Sequence, residues 1–289
     1  MDRKAVVFGW SGLVGSYAAR ALEGPYEVVK VSRTAEGSDH LADGSGLSAV
    51  KEILSAEEPD IVMNAVKSPL STDQSERMKS ETWAANVTVA ENLASLQKEH
   101  GYLLVHISTD WVYEGKKGER YTEDSIIYPQ NFYSFTKAIA EERVRSLSDE
   151  HLILRPTGIF GIDSRAANFF MRVQKAMEDG QEIKAPSDQL SHPIYAGELA
   201  RLMKAAIDKG ARGTFNCVGK EYLSRNDLAL MFCEAFGWDK KNVSAVESST
   251  RDIRIPRYLD VDMSKFEKEI CEVRSLRDQL ADLKKEVNQ

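Results

Sequence analysis

Short apolar runs alternate with longer amphipathic stretches through the first half of this chain, and that rhythm constrains the fold more than any other feature. Runs at Lys4–Gly9, Glu27–Ser32, Ile61–Asn64, Tyr102–Ser108 and His151–Arg155 have the length and β-branched content of buried strands. Between them, Val14–Leu22, Leu47–Ala56, Thr82–Glu99 and Phe135–Leu147 carry helical periodicity. Strands that alternate with helices build βαβ units. The fold class is therefore α/β, a doubly wound parallel sheet with helices on both faces. After Arg155 the rhythm changes. Helices are expected at Asn168–Asp179, Ala196–Lys209 and Ser224–Phe236, with a loop-rich return over 183–194 and a strand within GTFNCVG. The tail, Ser275–Val287, is charged and amphipathic, and its Leu276, Leu280 and Leu283 mark a packed helix.

Charge and cysteine usage narrow the function classes. The 289 residues carry a net charge of −7, which argues against a nucleic-acid or anionic-membrane partner. The three cysteines, Cys217, Cys233 and Cys271, lie far apart and form no C-x-x-C pair, so no disulfide framework is expected. The chain enters a strand at once and has no long apolar run. The expectation is a cytoplasmic protein. Its five histidines are scattered without metal-ligand spacing, and no metal site is expected.

The first expected strand runs into Gly9-Trp10-Ser11-Gly12-Leu13-Val14-Gly15 and then a helix. A lone glycine triplet also marks plain turns; closing a strand and opening a helix gives it the context of a dinucleotide site. Gly9 permits the tight turn, Gly12 lets backbone amides approach a pyrophosphate, and Gly15 lets the helix pack closely. Gly9, Ser11, Gly12, Leu13 and Val14 are thus the expected phosphate contacts of a Rossmann fold. The second strand ends in Val31-Ser32-Arg33-Thr34 without an acid to hold a ribose 2′-hydroxyl. Arg33 reads either as a surface cation or, beside Ser32, as the partner of a 2′-phosphate. The second reading favours NADP(H), with NAD(H) left open. Asn64, Ala65 and Val66 supply a small-residue strand end where a nicotinamide ribose would lie.

The chemistry-bearing residues follow. Ser108-Thr109-Asp110 ends another expected strand, at the sheet edge where ligands of open α/β folds bind. Tyr133 and Lys137 then sit four apart, on one face of a helix. Taken alone, the pair is a tyrosine packed beside a lysine stem. Taken with the strand ends before it, the pair reads as a proton donor whose phenol an adjacent ammonium tunes downward while it grips the cofactor ribose. Thr109 can hydrogen-bond the same substrate carbonyl. Thr109, Tyr133 and Lys137 are the catalytic candidates.

On these motifs the chain resembles the dTDP-4-dehydrorhamnose reductase family of extended short-chain dehydrogenases/reductases. The segments that carry the resemblance are GWSGLVGS, PDIVMNAV, NVTVAENLA, ISTDWVYEG, the Tyr133–Lys137 stretch, RPTGIFG, SDQLSHPIYAGELA and GTFNCVG. It implies NADPH-dependent reduction of the 4-keto group of a nucleotide-linked 6-deoxysugar, as in dTDP-rhamnose biosynthesis, with Thr109, Asp110 and Tyr133 on the substrate. It also implies an NADP-binding domain over 1–160 and a mainly substrate-binding part over 161–289, with segments returning to the sheet around 188–217. Three positions depart from the family. Gly158 falls where a substrate-contacting Trp stands, and Tyr17 where a Glu linked to a metal-bridged dimer stands. Ala65-Val66-Lys67-Ser68-Pro69 replaces Ala-Ala-Ala-Tyr-Thr. A homodimer is left open. A second resemblance, over GTFNCVGKEYLSRNDLALMFCEAFG, is to the regulatory subunit of methionine adenosyltransferase, which would make the chain an NADP-binding partner without turnover.

Overall fold

Seven parallel strands form the main sheet of the computed structural model, which describes residues 3–164, 166–248 and 253–288. Five are labelled here: β1 (Lys4–Phe8), β2 (Glu27–Ser32), β3 (His40–Leu41), β4 (Ile61–Asn64) and β5 (Leu103–Ile107). Across the sheet the order is Gly213–Asn216, His151–Arg155, β5, β4, β1, β2, β3. The chain thus winds outward from β1 in one direction and from β4 in the other. The crevice at the carboxyl ends of β1 and β4 is the switch point where such sheets bind ligands.

The near-continuous apolar runs explain the parallel sheet, since β4 and β5 are buried along their whole length. On one face Val6, Phe8, Val62 and Leu104 pack against the helices Leu47–Glu57, Val89–His100 and Phe132–Leu147. On the other, Ala5, Val7, Met63 and Val105 meet the helices α1 (Leu13–Leu22) and Ala196–Asp208. A third core lies outside the sheet. There Phe232 stands between Phe160 and Phe170, each with its ring centroid 5.2 Å away. Truncating such a buried ring to alanine costs about 3–5 kcal/mol.

The expected strands and helices are present, with shifted bounds. The Tyr133 helix starts at Phe132, a turn earlier than its apolar periodicity suggests, because Asn131 caps it with a bond from the Ser134 N–H. The stretch expected as one helix over Thr82–Glu99 is a helix at Lys79–Trp83, a π-helical turn at Ala84–Thr88 and a helix at Val89–His100. The loop-rich return holds short strands. Ile183–Pro186 pairs in parallel with Val243–Val246, and Leu190–Ser191 pairs with Leu223–Ser224. Gly213–Asn216 alone of the later strands joins the main sheet.

The tail helix, Leu276–Val287, buries Leu276, Leu280 and Leu283 in the third core. Its Glu286 accepts hydrogen bonds from Tyr17 and, at 2.6 Å, from Tyr195, and pairs with Arg20 at 2.9 Å. The Tyr17 oxygen in turn accepts from the Ile162 N–H at 3.1 Å. The position that the resemblance links to a metal-bridged dimer is spent here inside one chain. No described helix is long and apolar enough to cross a membrane.

Candidate active site

The glycine turn is built for close approach. Gly9 has φ +79°, and a Cβ there would lie 3.0 Å from the Ala65 carbonyl and the Val66 nitrogen. A Cβ on Gly15 would lie 2.1 Å from the Gly9 carbonyl oxygen, so only glycine lets α1 pack on this turn. Gly12 caps α1 without a side chain, which leaves the first amides of the helix, at Leu13 and Val14, without a side-chain acceptor. These residues fit a pyrophosphate. At the exit of β2, the buried Ser32 hydroxyl accepts from the Ala35 N–H at 2.9 Å and bonds Ser38 at 2.9 Å. The Trp10 indole donates to Ser38 at 2.7 Å and so ties this loop to the glycine turn. Arg33 is exposed. It adds to the pull of the Ser45 amide that holds the nearby Asp43 carboxyl below its usual range.

Across the crevice, Asn64 is buried and bonded on both sides. Its amide donates to the buried His106 ring at 3.1 Å, and its oxygen accepts from the Val66 N–H at 3.1 Å. Burial, with Lys137 and Arg145 nearby, keeps His106 well below the ordinary imidazole range and hence neutral.

Thr109, Asp110 and Tyr133 converge at the end of β5. Thr109 opens a short 3₁₀ turn, accepting from the Trp111 N–H at 3.2 Å. The Trp111 ring meets the Tyr133 ring edge-on at 6.0 Å. Burial pushes the Tyr133 phenol up to about 12, against a hydrogen bond with Thr109, and the Asp110 charge adds to the rise. This corrects the expectation of a phenol tuned downward by its neighbouring lysine. The Lys137 ammonium is instead buried and donates to the Ile107 carbonyl at 2.6 Å. Burial brings Lys137 down to about 8; Glu141 opposes that and Lys67 adds to it. Asp110 is fully buried, its Oδ2 without a hydrogen-bond partner, and burial raises its carboxyl to about 7 against bonds from Thr157 and Thr109.

Beneath these groups lies a polar scaffold. Glu141 takes the Arg155 guanidinium at 2.9 and 2.6 Å and a bond from Ser108, which fixes the Tyr133 helix to the end of β5. Asn86, in the π-helical turn, accepts from the Ser68 N–H at 2.8 Å and donates to Thr136 at 2.9 Å, tying the loop after β4 to the same helix. Sequence reasoning missed both roles. The signal for Asn86 was a polar side chain in an apolar helical pattern. Asp188 and Gln189 are occupied with Ser248, Asp188 also pairing with Arg257 at 3.0 Å. At Gly158, where the resemblance would place a Trp, φ is +48° and a Cβ would lie 3.3 Å from Pro193, so a side chain there would strain the backbone. Among the described residues, no cluster of acids, histidines or cysteines is placed to hold a metal.

A doubly wound sheet with its glycine turn at the switch point, facing a Thr-Tyr-Lys set on the next strand end and helix, is the framework of the extended short-chain dehydrogenase/reductase class. The chain belongs to the family described as RmlD substrate binding domain, whose family model matches residues 3–289. It is 28% identical to the probable low-salt glycan biosynthesis reductase Agl14 of Haloferax volcanii, over 96% of each chain. It is 27% identical to a dTDP-4-dehydrorhamnose reductase of Aggregatibacter actinomycetemcomitans, over 80% of this chain and 79% of that one. The crystal structure of a dTDP-4-dehydrorhamnose reductase from Clostridium acetobutylicum superposes with a TM-score of 0.89 at 25% identity, covering 99% of this chain and 100% of that one.

Proposed function

We propose that this chain is an NADPH-dependent reductase of the 4-keto group of a nucleotide-linked 6-deoxysugar. The observation that carries the reading is the convergence of Thr109, Asp110 and Tyr133 at the carboxyl edge of β5, with an unpartnered carboxyl oxygen among them. That the reductases named above are its relatives supports the substrate class.

Gly9, Gly12 and the first amides of the following helix would hold the pyrophosphate of NADPH, which would supply a hydride to the carbonyl carbon. Thr109 and Tyr133 hydrogen-bond the carbonyl oxygen. As the hydride arrives, that oxygen becomes an alkoxide, a stronger base than a phenolate, and takes the Tyr133 proton. A phenol pushed up to about 12 is fully protonated at neutral pH, which suits a donor in the reducing direction. Lys137 has spent one of its donors on Ile107, and the others would be available to a nicotinamide ribose. Asp110 offers its free oxygen to a sugar hydroxyl. In the same reading Arg33 meets the 2′-phosphate, residues 1–160 hold the cofactor, and 161–289 mainly the substrate. A cytoplasmic location belongs to the proposal too, while the oligomeric state stays open, and sedimentation of the purified chain reads it.

NADPH oxidation across a panel of nucleotide-linked 4-keto-6-deoxysugars tests the reading. Turnover of at least one is expected. Tight NADPH binding with no sugar reduced would overturn it in favour of a binding role.

A further inference from the structure

The turn after β4 brings a second lysine to the Tyr133 ring. The Lys67 ammonium lies 5.7 Å from the ring centroid, on its face, and donates to the Ser68 carbonyl at 2.9 Å. Asn86 fixes this turn by joining the Ser68 amide to Thr136, so the lysine and the ring are held in register through a buried side chain. Lys137 cannot serve the same face from where it stands, because its ammonium is directed to the Ile107 carbonyl. We propose that Lys67 is a further positioning residue, whose ammonium stabilises the phenolate left on Tyr133 once its proton has gone to the substrate.

The inference rests on the reductase reading, in which Tyr133 is the proton donor. A cation is attracted to the face of a neutral phenol and more strongly to that of a phenolate. The extra attraction exists only after proton transfer begins. It therefore lowers the barrier without tightening binding of cofactor or sugar. Other groups face the pair as well. Asp110 and Thr109 reach Tyr133 from the end of β5, while Glu141 on the same helix and His106 on β5 lie near Lys137. Asp110 opposes a phenolate, and on the exposed side Lys67 offsets it. The proximity of the two lysines has its own signature, since Lys67 helps hold Lys137 below the ordinary lysine range.

The test uses K67M and K67R in the full chain. Turnover by K67M should fall roughly 3- to 30-fold, the range of one cation–π contact, with KM for NADPH unchanged. K67R should recover most of it. Independently of turnover, NMR titration of the Lys137 side chain should show its pKa rising in K67M. Equal losses in K67M and K67R, or an active enzyme in which Lys137 titrates unchanged, overturn the role of Lys67 alone. If wild type reduces no sugar while Lys137 does shift, Lys67 is placed as described but the reductase reading fails, and the phenolate role fails with it.

Discussion

Asp110 and Glu141 are both completely buried acids near the Tyr133 helix, and they are treated in opposite ways. Burial pushes Glu141 up, but two hydrogen bonds from Arg155, another from Ser108 and a pairing with Arg145 more than offset it and hold the carboxyl below its ordinary range. Asp110 receives bonds from Thr157, Thr109 and its own backbone amide, with the Arg225 charge adding a weaker pull, but it keeps one oxygen without a partner, so burial wins and its carboxyl stands at about 7. A buried charge with every lone pair occupied is scaffold. A buried acid left incomplete in an otherwise satisfied interior marks a place kept for a ligand. Asp110 acts on Tyr133 itself, whereas Glu141 bonds Ser108, Arg155 and Arg145, which separates the chemistry from what holds it.

The largest expected effect falls on the chemical side. Tyr133→Phe removes one oxygen and keeps the ring against Trp111, so turnover should drop by ~10²–10⁴ while melting temperature and cofactor affinity stay near wild type. A variant that turns over normally would make the tyrosine a packing residue. On the scaffold side, Arg155→Met strands the Glu141 charge and should cost about 3–5 kcal/mol in urea denaturation. Unchanged stability there would erase the distinction between the two acids.

Stability against pH sharpens it further, because the signs are opposite. The folded pKa of Asp110 is raised, so its stabilising contribution is full below its unfolded value, about 4, and is lost as pH rises through about 7. Glu141 is lowered. Its contribution is full above its unfolded value and is lost as pH falls through the folded one. Asp110→Asn should therefore gain stability relative to wild type as pH rises from about 5 to 8, read by thermal melts at each pH. A constant difference across that range would mean that Asp110 does not titrate there. The smallest effect is at the edge of the crevice. Arg33→Ala should weaken NADPH roughly 10-fold more than NADH, the loss of one charge-assisted bond, as measured by calorimetry. Equal losses would leave Arg33 a surface cation.

How much of this was legible depended on distance along the chain. The strands, the glycine turn and the Tyr133–Lys137 spacing are local patterns, and the sequence displays them directly. The start of the Tyr133 helix lies one turn before its apolar periodicity because its cap, Asn131, lies outside that pattern. The bond from Lys137 to Ile107 was not legible because its partner is a backbone carbonyl of β5, which no side-chain pattern reveals. Asn86 and Lys67 owe their placement to a π-helical turn and a loop that meet only in the folded chain. The rise of the Tyr133 phenol is a consequence of burial, which spacing alone does not report.

The central claim is that hydride passes from the nicotinamide to a sugar carbon while Tyr133 supplies the proton. NADPH deuterated at the transferred position, incubated with the protein and a nucleotide-linked 4-keto-6-deoxysugar, tests it most directly. The account predicts deuterium at C4 of the product sugar by NMR, and loss of that label in Tyr133→Phe over the same time. Deuterated cofactor that binds and is recovered intact, with no deuterium in any sugar, would contradict it.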